Sequence, residues 1–339
     1  MACFNGFIAT DIGAWRDWLA CPLCKLPLHW QETECHCEVC GRRFGRAANG
    51  AWDFMLDYPA FLTFVTAPWR EGQQAYESYS AKLAHRDDEG RYLGQIDEVR
   101  EVYTEAFRLD GRILDVGGHQ GRLRHFLPPT ATYISADPFA GLFADLHEQP
   151  ALLRAYPCLR QPCNFVRAPA ERLPFRAACF DFVHMRSVLD HFADPFLALA
   201  EARRVLRPHG RLLIGVAVRQ DGTSAAPHAP RVAHGPRQAG ILATVRTAVR
   251  KCLGRAAPPP TDHHMWHPTF DELQELLIRS HFTLENHHWQ KPPHSNCVYM
   301  LAARSQTSCS ETAHPAEIRI LRQPAANRRP SDAALTPTR

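Results

Sequence analysis

Cys21-Pro-Leu-Cys24 and Cys37-Glu-Val-Cys40 are two C-x2-C pairs separated by twelve residues. Each pair sets two thiolates on one edge of a tetrahedron, and four thiolates fill the coordination sphere of Zn2+. The chemistry expected of Cys21, Cys24, Cys37 and Cys40 is structural zinc binding, because no position is left open for a substrate. Gly41 suits the tight knuckle turn and Phe44 a small apolar plug beneath it, while Cys35 and His36 are competing ligands of lower rank. A second constellation is ILDVGGHQGRL, residues 113–123. A β-rich run leads into small residues that admit a ligand close to the backbone, then into a helical stretch with free amides. Asp137 lies 22 positions after Asp115, at the end of TYISAD, where a carboxylate can accept hydrogen bonds from both hydroxyls of a ribose. Alone, this turn suits any dinucleotide or nucleoside. A third cluster is Asp262, His263, His264, Trp266 and His267 in TDHHMWHPTF. Histidine titrates near neutrality and suits a general base. The same residues also read as a polar helix entry, and their spacing matches no specific metal-ligand pattern.

These groups need a scaffold, and the hydrophobic patterning indicates one. Short β-rich runs (ILDV, TYISAD, CNFVRA, FDFVHM, RLLIGVAV) alternate with longer amphipathic stretches. That alternation implies βαβ units and a mostly parallel sheet. Ile96, Val99, Val102, Tyr103, Ala106 and Phe107 repeat with helical spacing, and Pro195–Leu206 sets Phe196, Leu199, Ala200, Ala202 and Leu206 on one face. TFDELQELL from Thr269 has the form of a helix capping box, and Phe282–His288 and Cys297–Ala303 read as closing strands. Trp69, Tyr76 and Tyr79 are either a lid over a ligand or core aromatics of a packing helix. The expected organisation is an extension over 1–20, a zinc ribbon over 21–57 and a helical linker or lid over 58–110. An α/β domain follows over 111–304 with a basic, Pro- and Gly-rich insert at 219–261, then a disordered tail over 305–339.

The composition excludes several classes. Of 339 residues, 45% are hydrophobic and 22% charged, close to ordinary globular usage. No run approaches the roughly 18–20 apolar residues of a membrane span. The net charge of +4 is too small to imply nucleic acid by itself. Twelve cysteines without an export signal, clustered at 21–40, favour metal binding in a reducing compartment, hence the cytoplasm.

Residues 112–217 resemble the class I S-adenosylmethionine-dependent methyltransferases of the methyltransferase type 11-like group, which includes ubiquinone-biosynthesis enzymes. The resemblance rests on ILDVGGHQG, then ISADP, then AERLPFRAACFDFVHMRSVLDHFADPFLALAEARRVLRPHGRLLIGV. It implies an α/β fold of the Rossmann-like, doubly wound type, with a mostly parallel seven-stranded sheet preceded by the small zinc ribbon. The segment CPLCKLPL…CHCEVCGRRFG is similar to ribbons that precede the catalytic domain in several bacterial methyltransferases. For the cofactor S-adenosylmethionine, the resemblance implies contacts from Asp115, Gly117, Gly118 and Gly121 of the first motif. It places Asp137 at the ribose, Ala170 and Glu171 beside the adenine, and Met185 at the methionine and methyl group. His191 occupies a position often filled by His in this group. Two residues depart from the pattern: His119 stands at the usual central glycine, and Pro169 replaces a commonly acidic residue.

The function implied is methyl transfer to a small-molecule or carbohydrate-like acceptor, with His263, His264 and His267 as candidate catalytic residues near it. Two other readings fit part of the pattern. A zinc ribbon beside such a domain also occurs in RNA methyltransferases, for which the basic insert offers support. A non-catalytic cofactor-binding protein that docks through the ribbon would carry the same motifs.

Overall fold

The computed structural model describes residues 6–55, 67–139, 141–219, 264–292 and 296–305. His263, nearly all of the basic insert and residues 306–339 lie outside the described residues.

The C-x2-C pairs sit in turns around a three-stranded antiparallel sheet of β1 (His29–Trp30), β2 (Glu34–His36) and β3 (Arg43–Gly45). The chain then enters the main sheet as β4 (Trp52–Asp53), parallel to β7 (Phe165–Arg167). Two helices follow, α1 (Ala67–Ala84) and α2 (Glu89–Glu101). Asp88 caps α2 by accepting the Arg91 N–H, and Tyr92, Ile96 and Val99 bury its inner stripe. The alternation read from the sequence becomes β5 (Arg112–Val116), β6 (Thr132–Asp137), α3 (Pro150–Ala155), β7, β8 (Phe180–Arg186), α4 (Pro195–Val205) and β9 (Leu206–Ala217). The last described elements are α5 (Phe270–Arg279), β10 (Phe282–Trp289) and β11 (Cys297–Arg304). Thr269 and Glu272 form the reciprocal capping box of α5.

The main sheet runs β10-β11-β9-β8-β5-β6-β7-β4, with β11 antiparallel to both its neighbours and the rest parallel. This is the Rossmann-like, doubly wound α/β arrangement. Its strands number eight rather than the expected seven, because β4 joins the edge. A two-residue strand leaves no periodicity to read; it is held by Trp52 pairing with Val166 and by Asp53 accepting from Arg167 at 2.8 Å.

One core lies on each face of the sheet. On one face, ribbon residues Cys21, Phe44 and Phe54 pack in the same cluster as Leu114, Ile134, Leu173 and the inner sides of α4 and α5. On the other, α2 and α3 cover Ile113, Tyr133 and Phe165. The inner side of α4 is Ala198, Leu199, Ala202 and Val205, which corrects the expected face. Phe196 and Ala200 lie one turn apart on its outer side, so small alanines approach the sheet while the Arg279 guanidinium covers the Phe196 ring at 4.6 Å. The stretch after the glycine turn is also shorter than expected, a five-residue 3-10 turn over Arg122–Phe126. Pro128 and Pro129 follow it and end any helix.

Candidate functional site

From β5 the chain proceeds to β6 and β7 on one side, then returns to β8 and β9 on the other. In doubly wound sheets such a reversal opens a crevice beyond the carboxyl ends of the two central strands. A cavity of about 260 Å3 lies there, lined from below by Asp115, Gly117, Gly118, His119 and His184 and from above by residues of α1 and α2.

The glycine turn has its shape for steric reasons. Gly117 has φ +70°, and a Cβ there would lie 2.4 Å from Val188. A Cβ on Gly118 would lie 2.6 Å from the Asp115 carboxyl carbon and 2.7 Å from Ser135 Oγ. Gly121 has φ +83° and starts the 3-10 turn. His119 adopts φ +52°, a conformation that glycine takes more readily. Its ring is tied to Gln120 Oε1 at 2.8 Å and lies 3.4 Å from Ser80 Oγ of α1. Burial, reinforced by Arg122, pushes the His119 pKa down to about 3, so the ring is neutral at physiological pH.

Beneath the turn runs a buried chain of hydrogen bonds. Tyr133 donates its hydroxyl to Asp115 at 2.7 Å, and His184 Nδ1 meets the other Asp115 oxygen at 2.7 Å. His184 Nε2 lies 2.9 Å from the Tyr103 hydroxyl. The carboxylate takes the Nδ1–H, which leaves Nε2 to accept from Tyr103. Asp115 is thus fixed from two sides and holds the turn's floor in place.

Asp137, at the end of β6, accepts the Phe139 N–H at 2.9 Å and the His119 N–H at 3.2 Å. Burial pushes its carboxyl pKa up to about 7 against those two bonds, with the charge on Asp115 adding to the rise. Each oxygen keeps a further lone pair for a ligand hydroxyl. The neighbouring cavity wall holds three guanidiniums, from Arg91, Arg122 and Arg186. Arg186 Nε donates to the Tyr299 hydroxyl at 2.8 Å. The buried Nε groups of Arg91 and Arg122 have no hydrogen-bond partner among the described residues. Among the described residues that line the cavity Asp115 alone is acidic, so its wall carries an excess of positive charge that suits a negative group, and Asp137 stands beside the cavity outside that lining.

The remaining sequence-derived residues are distributed as follows. Glu171 is buried and accepts the N–H groups of Ala193 at 2.9 Å and Asp194 at 3.3 Å, next to buried Ala170. Met185 is fully buried in the core, and the cavity wall is made by Arg186, the last residue of β8, with Ser187 and Val188 after it. Tyr76 and Tyr79 line the cavity from α1, whereas Trp69 donates its indole N–H to the His191 carbonyl at 2.8 Å. His264 and His267 lie near each other, ring centroids 5.2 Å apart, and the His264 ring lies 4.7 Å from that of His191, tilted by 39°. His184, Tyr103, Arg91, Arg122 and Arg186 are not among the site residues that the sequence offers. A histidine inside the apolar strand FDFVHM was the one local sign of the buried chain.

In the ribbon, the Sγ atoms of Cys21, Cys24, Cys37 and Cys40 all lie within 4.8 Å of one another, with Cys21 and Cys40 3.7 Å apart. Zn–S bonds of about 2.3 Å in a tetrahedron separate sulfurs by about 3.8 Å, so the donor set fits zinc. Buried Cys35, one of the lower-ranked candidates, stands apart from this cluster.

Residues 114–214 match the family model described as a methyltransferase domain. An uncharacterised methyltransferase of Schizosaccharomyces pombe is 34% identical over 106 residues, covering 29% of this chain and 37% of that protein. The ubiquinone/menaquinone biosynthesis C-methyltransferase UbiE of Hahella chejuensis is 32% identical over 117 residues, covering 33% of this chain and 45% of its own length. The chain therefore spans less than half the length of these relatives. Among solved structures, the Burkholderia thailandensis 1,6-didemethyltoxoflavin-N1-methyltransferase, with S-adenosylhomocysteine bound, aligns with a TM-score of 0.44 at 18% identity. The alignment covers 82% of this chain and 99% of that one.

Proposed function

We propose that this chain is an S-adenosylmethionine-dependent methyltransferase whose acceptor is a small molecule, with a structural zinc ribbon built onto its sheet. The observation that carries the reading is the Gly117–Gly121 turn with Asp115 beneath it and Asp137 beside it, at the reversal point of the sheet and inside the segment that matches the methyltransferase domain. S-adenosylmethionine, when bound, supplies an activated methyl group on a sulfonium. The chain's own part is to bind and orient. Asp137 receives the ribose hydroxyls, Gly117 and Gly118 give room for close approach, and Arg91, Arg122 and Arg186 receive the amino-acid carboxylate or an acidic acceptor. Because methyl transfer is an in-line displacement, positioning of this kind supplies much of the rate. Ala170 and Glu171 remain assigned to the cofactor side on the family pattern, whereas Met185 lies in the core beneath the cavity wall and its side chain is assigned no contact with the cofactor. His264 and His267 remain assigned to the acceptor side. The UbiE relative and the toxoflavin-precursor enzyme, both named for small-molecule reactions, support an acceptor of that size. Cys21, Cys24, Cys37 and Cys40 hold the zinc.

Calorimetry with S-adenosylhomocysteine tests the reading. A charged hydrogen bond contributes about 1.5–3 kcal/mol, so Asp137→Ala should weaken binding by roughly tenfold to a hundredfold. Unchanged affinity in a folded variant, or no binding by the wild type, overturns it.

A further inference from the structure

We propose that Asp190, His191 and His264 form a second metal site, which takes one divalent transition-metal ion at the side of the cavity. Asp190 and His191 belong to the short turn after β8, and His264 leads toward α5, so two separate segments converge. One donor atom from each of the three residues lies within 4.8 Å of the other two. Asp190 is 6% exposed, and its Oδ1 has no hydrogen-bond partner among the described residues. Its Oδ2 faces His264 Nε2 at 3.6 Å, longer than a hydrogen bond. A buried carboxylate served this poorly is costly unless a cation completes it. A metal with bonds of about 2.1 Å holds neighbouring ligands about 3 Å and opposite ligands about 4.2 Å apart. The three donors therefore reach it with small side-chain rotations.

The donor set also selects the ion. Two imidazoles and one carboxylate suit a transition metal better than Mg2+ or Ca2+, which prefer oxygen alone. Three protein ligands leave positions open, unlike the four-thiolate ribbon. The site adjoins the cavity: the Tyr76 ring, which lines it, lies 5.5 Å from the His191 ring, and lining residue Val188 is two positions from Asp190. An acceptor oxygen bound at an open position would lose its proton to water more readily, then form the new C–O bond as the S–C bond of the donor breaks. Only this role rests on the methyltransferase reading; the site itself does not.

The test titrates Co2+ into the full chain with its ribbon already zinc-loaded, followed by calorimetry and visible absorption. Expected is one further ion per chain, with d–d bands and no thiolate charge-transfer band. Asp190→Asn and His264→Ala should each weaken this binding at least tenfold while keeping circular dichroism and S-adenosylhomocysteine affinity. His147→Ala, on an exposed turn elsewhere, should leave it unchanged. Absence of the additional ion, a thiolate band in its spectrum, or equal affinity in Asp190→Asn and His264→Ala overturns the proposal. Loss of S-adenosylhomocysteine binding by the wild type would instead count against the methyltransferase reading, leaving the Co2+ result to stand alone.

Discussion

Asp137 carries a testable consequence of its surroundings. Burial holds its carboxyl pKa at about 7, and only the ionised form accepts two ribose hydroxyls. The ionised fraction rises from about a tenth at pH 6 to about nine tenths at pH 8, so affinity should rise about tenfold over that interval. Adenosine is the suitable probe because it has no group that titrates there; calorimetry should show the rise in the wild type and a flat profile in Asp137→Asn. The same shift acts oppositely on the unliganded chain. The folded state holds a proton that the unfolded state releases, so this group's contribution to stability falls as pH rises from about 4 to about 7. Asp115, Asp137 and the glycines were legible because their chemistry and order are local. The partners of Asp115 were not, since Tyr133 and His184 come from other strands and Tyr103 from the segment before β5. Only the sheet brings them to one point.

At the scale of elements, the ribbon is fastened to the α/β unit by a small ionic cluster. Lys25 Nζ meets Glu201 Oε2 of α4 at 2.5 Å, and Arg204 binds both oxygens of the same carboxylate. Burial pulls the Lys25 pKa down to about 8, against the attraction of Glu201. Glu201→Ala would strand two half-buried cations, at a cost of about 3 kcal/mol as for other broken buried pairs. Guanidinium unfolding should show the loss, and Lys25→Met in the same background should recover part of it. Helices and strands of the α/β unit were readable from periodicity, and the capping box of α5 from its residue types. The rotation of α4 was not, because its apolar residues outnumber one face and only packing against the sheet chooses Ala198 and Ala202 over Phe196 and Ala200.

For the whole molecule, the shared core predicts one fate for ribbon and sheet. Cys21, Phe44 and Phe54 belong to the cluster that includes Leu114 and Ile134, and β4 completes the sheet edge. Metal analysis should find zinc in the ribbon, and its removal with a chelator should lower the melting temperature of the entire chain in one cooperative transition. Separate ribbon and α/β transitions in calorimetry, with the second unmoved by the chelator, would contradict this. Among the described residues no helix is long and apolar enough to cross a membrane. The sequence separated ribbon from α/β region by composition, but it could not show that they share a core, since the joining strand is two residues long.

The pairing of β4 with β7 also bears on how the chain is made. Trp52 leaves the ribosome well before Val166, and at about 5–20 residues per second the intervening hundred or so residues take on the order of 5–20 s. Throughout that interval β4 lacks its β7 partner, and Trp52 and Phe54 have only ribbon residues to pack on: Arg46 bridges Trp52, Trp30 lies against Trp52, and Phe44 against Phe54. The four thiols are already present by then, so a metal ion can close the ribbon before its docking surface exists.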